Sequence, residues 1–151
     1  DGMESLIEAA HATLSVVDDT DGCALVKGNY DALTGAISNL IENSVRHGGR
    51  RVNIELRLTP VEDGYCIRIE DDGVGIEASI RAQIFDPFFT TSSDGTGLGL
   101  AVVQNVVLAH GGAIRMLDDK RRQHATGVGF VICIPGMTTE NKLDKSGENH
   151  D

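Results

Sequence analysis

The sequence predicts an α+β domain with mainly antiparallel strands and its helices on one face of the sheet. Candidate strands at 51–58 and 65–71 alternate apolar and polar residues, which is typical of a sheet with one covered face. Segments 29–47 and 98–108 instead place apolar residues at helical spacing. Together these patterns favour helices packed on one side of an antiparallel sheet.

The remaining elements are shorter. Residues 12–17 and 23–28 resemble strands on either side of "DDTDG", which predicts a hairpin. Residues 2–11 have helical spacing and no nearby partner helix, so they are expected to end an element that begins upstream. A short helical piece and two last strands complete the prediction, at 78–83, 113–117 and 129–135.

Composition narrows the class of protein. The chain has 151 residues and is 40% hydrophobic, enough for one domain with a buried core. Its 13 basic residues face 23 acidic ones, for a formal net charge of -10, which argues against a nucleic-acid partner. The sequence shows neither a membrane-spanning apolar run nor a signal peptide, so we expect a cytoplasmic domain without membrane contact.

The three cysteines are odd in number and far apart. Their apolar neighbours favour reduced, buried thiols over a disulfide framework or a zinc site. This expectation covers Cys23, Cys66 and Cys133.

Polar residues share one face of the 29–47 helix. They are Asn39, Asn43, Arg46 and His47. One interpretation is a solvated stripe. The other is a ligand face, in which amide oxygens complete a Mg²⁺ shell and Arg46 meets the phosphates.

The segment "EDDGVGI" follows a predicted strand. It suits a plain acidic turn, and equally a site in which Asp71 accepts a hydrogen bond from an exocyclic amine. In the second interpretation Gly73, Gly75 and Ile76 let a flat ring lie against the backbone. Glu70 and Asp72 are expected to be solvated neighbours.

Glycines alternate in "GTGLGL", directly before the last predicted helix. Exposed amides at a helix N-terminus bind phosphate. The segment is neither a Walker A loop nor a dinucleotide fingerprint, since both need other residues nearby. The candidate residues are Gly95, Thr96, Gly97, Leu98, Gly99 and Leu100.

Four motifs follow one another along the chain in this order: "NLIENSVRH", "DDGVGI", "IFDPFF" and "GTGLGLAVV". This set resembles the N, G1, F and G2 boxes of the ATP-binding domain of sensor histidine kinases, within the gyrase, Hsp90, histidine kinase and MutL family. The resemblance spans about residues 13–135. It implies a two-layer α/β sandwich of the Bergerat type, with a mixed, mostly antiparallel sheet and helices on one face.

The resemblance also implies roles for single residues. Asn43 would coordinate Mg²⁺ with support from Asn39, Arg46 would meet phosphate, His47 would flank the nucleotide and Asp71 would read adenine. In hydrolytic members a glutamate activates water at the position of Asn39. The lid at 89–94 would fold over ATP, bordered by Phe85, Phe88 and Phe89, although core packing also suits these rings.

The sequence departs from the family pattern in three places. The lid "TTSSDG" carries no Lys or Arg, and "TGVGF" lacks the usual Gly-Thr pair. No histidine lies in a phosphoacceptor setting; the five are His11, His47, His110, His124 and His150. The acceptor histidine is therefore expected on another part of the protein.

The resemblance predicts the catalytic domain of a histidine kinase, and within that family the segments look most like those of nitrogen- or flagellar-regulation kinases. Its ligands would be ATP and Mg²⁺, and its partners a histidine-bearing dimerisation domain and a response regulator. We expect a remnant of the upstream helix or linker at 1–11, the catalytic domain at 12–135, a flexible tail at 136–151, and a monomer. Two alternatives remain open: a serine kinase of the anti-sigma-factor type, and a nucleotide sensor that transfers nothing.

Overall fold

Within the described residues, one mixed sheet carries the helices on one of its faces. The computed structural model describes residues 2–22, 24–49, 51–77, 79–86, 99–117 and 127–136. The helices are α1 (Gly2–Ala9), α2 (Tyr30–His47) and α3 (Gly99–Ala109), with a 3-10 turn at Arg81–Gln83. The strands are β1 (Thr13–Asp18), β2 (Asn53–Val61), β3 (Gly64–Asp71), β4 (Ala113–Met116) and β5 (Gly129–Pro135).

The sheet has the order β1-β2-β3-β5-β4. β1 runs parallel to β2, and the other neighbouring pairs are antiparallel. The predicted mixed, mostly antiparallel sheet and two-layer sandwich are therefore confirmed.

Alternation along the strands builds the core. Ile54, Ile69 and Ile132 lie on neighbouring strands and are each 1–2% exposed, facing the helices. Residues between them face the other side of the sheet, because successive strand side chains point in opposite directions. We call that second side the open face.

Local signals explain the bounds of α2. The Asn29 side chain accepts a hydrogen bond from the Ala32 amide (3.0 Å), and the Gly48 amide donates to the Ser44 carbonyl (2.8 Å). Arg46 and His47 lie in the last turn, where a cationic side chain interacts favourably with the negative end of the helix dipole. The side chains that α2 buries are Ala36, Leu40, Ile41, Ser44 and Val45.

His110 joins the two long helices at one end. Its Nε2 accepts from the Asn29 amide (3.0 Å), so its Nδ1 carries the proton donated to the Val106 carbonyl (2.7 Å). The end of α3 therefore meets the start of α2.

The predicted hairpin at 12–28 is wrong. β1 pairs instead with β2, which follows α2 in the sequence, and residues 24–27 form no strand. Ala24 and Val26 turn inward and line an apolar cavity of about 180 Å³ between the sheet and the helices. β2 is also longer than predicted, since it continues to Val61 before a tight turn.

The predicted reduced state of Cys66 and Cys133 is also wrong. The two residues are direct neighbours on β3 and β5 and form a disulfide. They are half-buried on the open face of the sheet. The sequence separation of 67 residues hid this pairing. Cys23 lies outside the described residues.

Other predictions concern residues that the structure does not describe. They are the lid at 89–94 and the tail from residue 137 onward. At the other terminus, Met3, Leu6 and Ile7 of α1 pack against the core. The domain boundaries stay a prediction. Among the described residues, no helix is both long and apolar enough to cross a bilayer.

Candidate functional site

Asp71, the last residue of β3, is only 3% exposed. Its Oδ1 accepts hydrogen bonds from the amides of Gly73 (3.0 Å) and Val128 (3.1 Å). The Asp71 amide in turn donates to the Val128 carbonyl (2.9 Å). Both side-chain bonds end on one oxygen, so within the described part of the chain Oδ2 keeps its acceptor capacity for a ligand.

Glycines bring three backbone segments together around this carboxylate. A Cβ at Gly73 would fall on the backbone of Gly48, and one at Gly127 would fall on the Asp71 carbonyl oxygen. A Cβ at Gly75 would lie 3.2 Å from the Gly127 oxygen. Gly75 and Gly127 also have φ of 80° and 96°, which favour glycine. The end of α2, the loop after β3 and the start of β5 therefore form one tight cradle.

The polar residues predicted on α2 lie toward its C-terminal end. Asn39 and Asn43 are half-buried, whereas Arg46 and His47 are exposed. This end of α2 adjoins the cradle, because Gly48 packs against Gly73. Two neutral amides and one mobile cation therefore lie on the element that borders Asp71.

Only part of the glycine-rich segment is described. Gly99 is the first residue of α3, and Leu100 packs against the core. His110, directly after α3, contacts the start of α2, so the N-terminus of α3 lies at the opposite end of that helix. Gly95, Thr96, Gly97 and Leu98 lie outside the described residues.

Phe85 has a packing role. Its ring meets the ring of Phe130 edge to face, with centroids 6.0 Å apart and planes at 81°. Ile76 also packs against the core, and its carbonyl accepts from Arg81 Nε (3.1 Å). Phe88 and Phe89 lie outside the described residues, so a nucleotide contact by the phenylalanines stays a prediction.

Sequence reasoning missed several residues of this region. Val128 binds Asp71 and Gly127 packs against it from the segment just before β5, which is distant along the chain, and no local pattern marks these two residues. The prediction that Glu70 is a solvated neighbour is wrong, since Glu70 is 1% exposed and lies 3.9 Å from Arg68. Asp72 is partly exposed, and it also binds Asn53 with both carboxylate oxygens.

The described residues of the candidate site are one recessed acceptor, a glycine cradle and, on the helix that borders the cradle, two amide side chains and an exposed cation. A flat base fits against glycine backbone, and phosphates suit cations and helix amides.

Residues 28–138 match the family described as histidine kinase-, DNA gyrase B-, and HSP90-like ATPase. The chain belongs to this family.

Proteins similar to this chain include sensor kinases of that family. The chain is 38% identical over 112 residues to the sensor histidine kinase ZraS of Salmonella typhimurium, covering 73% of this chain and 23% of that protein. It is 39% identical over 111 residues to the histidine-protein kinase AtoS of Escherichia coli, covering 73% and 18%. The chain thus spans less than a quarter of the length of these relatives.

A solved structure agrees with the fold. The nucleotide-free catalytic domain of histidine kinase ThkA superposes with a TM-score of 0.75 at 26% identity. The match covers 88% of this chain and 84% of that one. The mixed sheet and its layer of helices are therefore those of a histidine kinase ATPase domain.

Proposed function

We propose that this domain binds Mg²⁺-ATP and donates the γ-phosphate to a histidine on a separate dimerisation domain. The phosphate would then pass to an aspartate of a response regulator. The supporting observation is the buried Asp71 carboxylate beside the glycine cradle: two amides hold its Oδ1, which leaves Oδ2 to accept a hydrogen bond from a ligand. This arrangement fits a base that carries an exocyclic amine.

The residues on α2 suit the phosphate end. Asn43, with Asn39 one turn before it, offers neutral amide oxygens to Mg²⁺, which takes oxygen ligands and keeps several from water or phosphate. Arg46 is exposed and can move its charge toward a phosphate. The chemistry that bound Mg²⁺-ATP supplies is an activated phosphoryl group with its charge partly neutralised.

The chain's own contribution is positioning. Asp71 and its cradle fix the base, and the amides at the N-terminus of α3 would add positive potential at the phosphates. An amide at position 39 cannot act as a general base toward water. This supports transfer to a protein acceptor over hydrolysis.

The kinase subgroup, the location, the response-regulator partner and the oligomeric state are part of the same proposal. ZraS and AtoS do not carry names of nitrogen or flagellar regulation, so membership of that subgroup gains no support from them. A cytoplasmic location, contact with a response regulator and a monomeric state remain expectations from the sequence and its resemblance to the family.

A transfer assay tests the proposal. The chain is mixed with Mg²⁺, γ-labelled ATP and a separately made histidine-bearing dimerisation fragment from a related kinase. We expect label on the fragment that is stable in alkali and labile in acid, and none on a fragment whose acceptor histidine is replaced by alanine. Measured ATP binding without label on the fragment would contradict histidine transfer and favour a nucleotide sensor, while acid-stable label on a serine would favour the serine kinase.

A further inference from the structure

The Cys66–Cys133 disulfide lies on the open face of the sheet, away from the candidate nucleotide site. Ile67 and Ile69 face the helices, so the alternate position 66 faces the other way, directly opposite Cys133 on β5. Both cysteines are half-buried, not enclosed in the core. Each residue therefore keeps part of its surface in contact with solvent in the folded domain.

Cationic side chains lie beside the bond. Arg68 follows Cys66 on the same face, and its register partner Val131 precedes Cys133. Arg115 pairs with Val131 from the other side, which places a second guanidinium on the neighbouring row. Arg68 is 3.9 Å from Glu70, so part of its charge is balanced. Two arginines therefore lie on the same face of the sheet as the disulfide, one row along the strands from it.

The disulfide clamps the two strands that hold the candidate base-reading acid. β3 ends at Asp71, and Val128 immediately precedes β5. The hydrogen bonds between Asp71 and Val128 lie at one end of this strand pair, and the disulfide lies toward the other. The bond also closes a loop of 67 residues that contains α3 and β4, which restricts the unfolded chain.

We propose that Cys66–Cys133 is a reversible thiol–disulfide site whose redox state sets how firmly β3 and β5 are held together. A thiolate of a dithiol attacks one cysteine sulfur, the S–S bond breaks, and the other sulfur leaves as a thiolate that takes a proton. The second thiol of the dithiol then attacks the mixed disulfide and releases the first cysteine as a thiol. The dithiol is oxidised to its disulfide, and both electrons go to the cysteines.

Native-state alkylation tests accessibility. The full chain carrying Cys23→Ser is equilibrated with oxidised glutathione or with dithiothreitol, without denaturant, then alkylated with iodoacetamide and weighed by mass spectrometry. We expect no label in the first case and two labels in the second, with unchanged circular dichroism, and loss of reactivity when oxidised glutathione is restored. Two labels after oxidation, or labels that appear only in denaturant, would overturn the proposal.

Stability and hydrogen exchange test the clamp. Reduction should lower Tm by roughly 5–15 °C, as expected for opening a long cross-linked loop in a chain of this size. Amide exchange should quicken in β3 and β5 and stay unchanged in α2. The Cys66→Ser, Cys133→Ser double variant should match the reduced form and ignore dithiothreitol. Equal Tm and equal exchange in the two redox states would contradict the clamp, whatever the domain does with nucleotide.

Discussion

Asp72 and Asn53 are joined by three hydrogen bonds that tie the loop after β3 to the start of β2. Asp72 Oδ1 accepts from the Asn53 amide (2.7 Å), Oδ2 accepts from Asn53 Nδ2 (2.8 Å), and the Asp72 amide donates to the Asn53 carbonyl (3.2 Å). Asp72 directly follows Asp71. The residue after the candidate base-reading acid is therefore fixed to a neighbouring strand.

Loss of this tie should destabilise the domain. Asn53→Ala removes one charge-assisted bond and should lower the free energy of unfolding by about 1 kcal/mol, while Asp72→Ala removes two and should lower it by about 2 kcal/mol. Urea unfolding measures both. The control is Asp63→Ala, an exposed aspartate in the β2–β3 turn, which should change little. Fully additive losses in the Asn53→Ala, Asp72→Ala double variant would mean that the two side chains do not interact.

Asp18 should respond to pH through Thr20. The hydrogen bond from the Thr20 hydroxyl, with a second from the Thr20 amide, lowers the pKa of Asp18 below its usual value. Thr20→Val removes the first bond, so the pKa of Asp18 should rise, as carboxyl NMR titration would show. Because the folded-state pKa is depressed, the associated stability is present above the usual aspartate pKa and disappears as pH falls through the folded value.

The control for Thr20→Val is Thr34→Val, the same change at an exposed position of α2. It should leave the titration of Asp18 unchanged. An Asp18 titration that is identical in wild type and Thr20→Val would show that the hydroxyl bond does not stabilise the carboxylate.

Two glycine-to-alanine changes should have opposite effects. Gly127 has φ of 96°, and a Cβ there would collide with the Asp71 carbonyl oxygen, so Gly127→Ala should cost more than about 1 kcal/mol of stability. Gly35 lies in α2, where an added methyl group would meet nothing within 4 Å among the described residues beyond its own stretch of helix. Gly35→Ala should therefore stabilise the domain by about 0.5–1 kcal/mol. Thermal unfolding measures both, and a harmless Gly127→Ala would argue against the tight cradle.

Removal of the Asn43 amide should affect only the metal-dependent part of nucleotide binding. Calorimetry measures ATP affinity with and without Mg²⁺. In Asn43→Ala the affinity for ATP in the presence of Mg²⁺ should fall about tenfold or more, because a ligand oxygen of the metal is lost. Asn105→Ala, the same change on the exposed side of α3, is the control. A full Mg²⁺ effect in Asn43→Ala would remove this residue from the metal site.

Local signals in the sequence were enough to predict α2 and the β2–β3 pair. The cap at Asn29 and the alternation at 53–61 depend on residues close along the chain. The parallel β1–β2 pairing could not be predicted in this way, because the partner of β1 comes only after α2. Local patterns therefore favoured a hairpin that does not form.

The candidate site also combines residues that local patterns mark with residues that are distant along the chain. The resemblance singled out Asp71, but the residue that orients it, Val128, is 57 positions away and carries an ordinary apolar side chain whose backbone amide makes the contact. The Cys66–Cys133 bond likewise follows from the antiparallel register of β3 and β5, which no local pattern specifies.

Base selectivity of Asp71→Asn tests the central claim most directly. The variant keeps an Oδ1 for the amides of Gly73 and Val128, so the fold is retained, but it places an NH₂ donor where the wild type has Oδ2. By calorimetry the wild type should prefer ATP to inosine triphosphate, which has a carbonyl in place of the amine. Asp71→Asn should lose about tenfold or more in ATP affinity and prefer inosine triphosphate. Unchanged ATP affinity, or an unchanged preference, would contradict the assignment of Asp71 as the residue that reads the base.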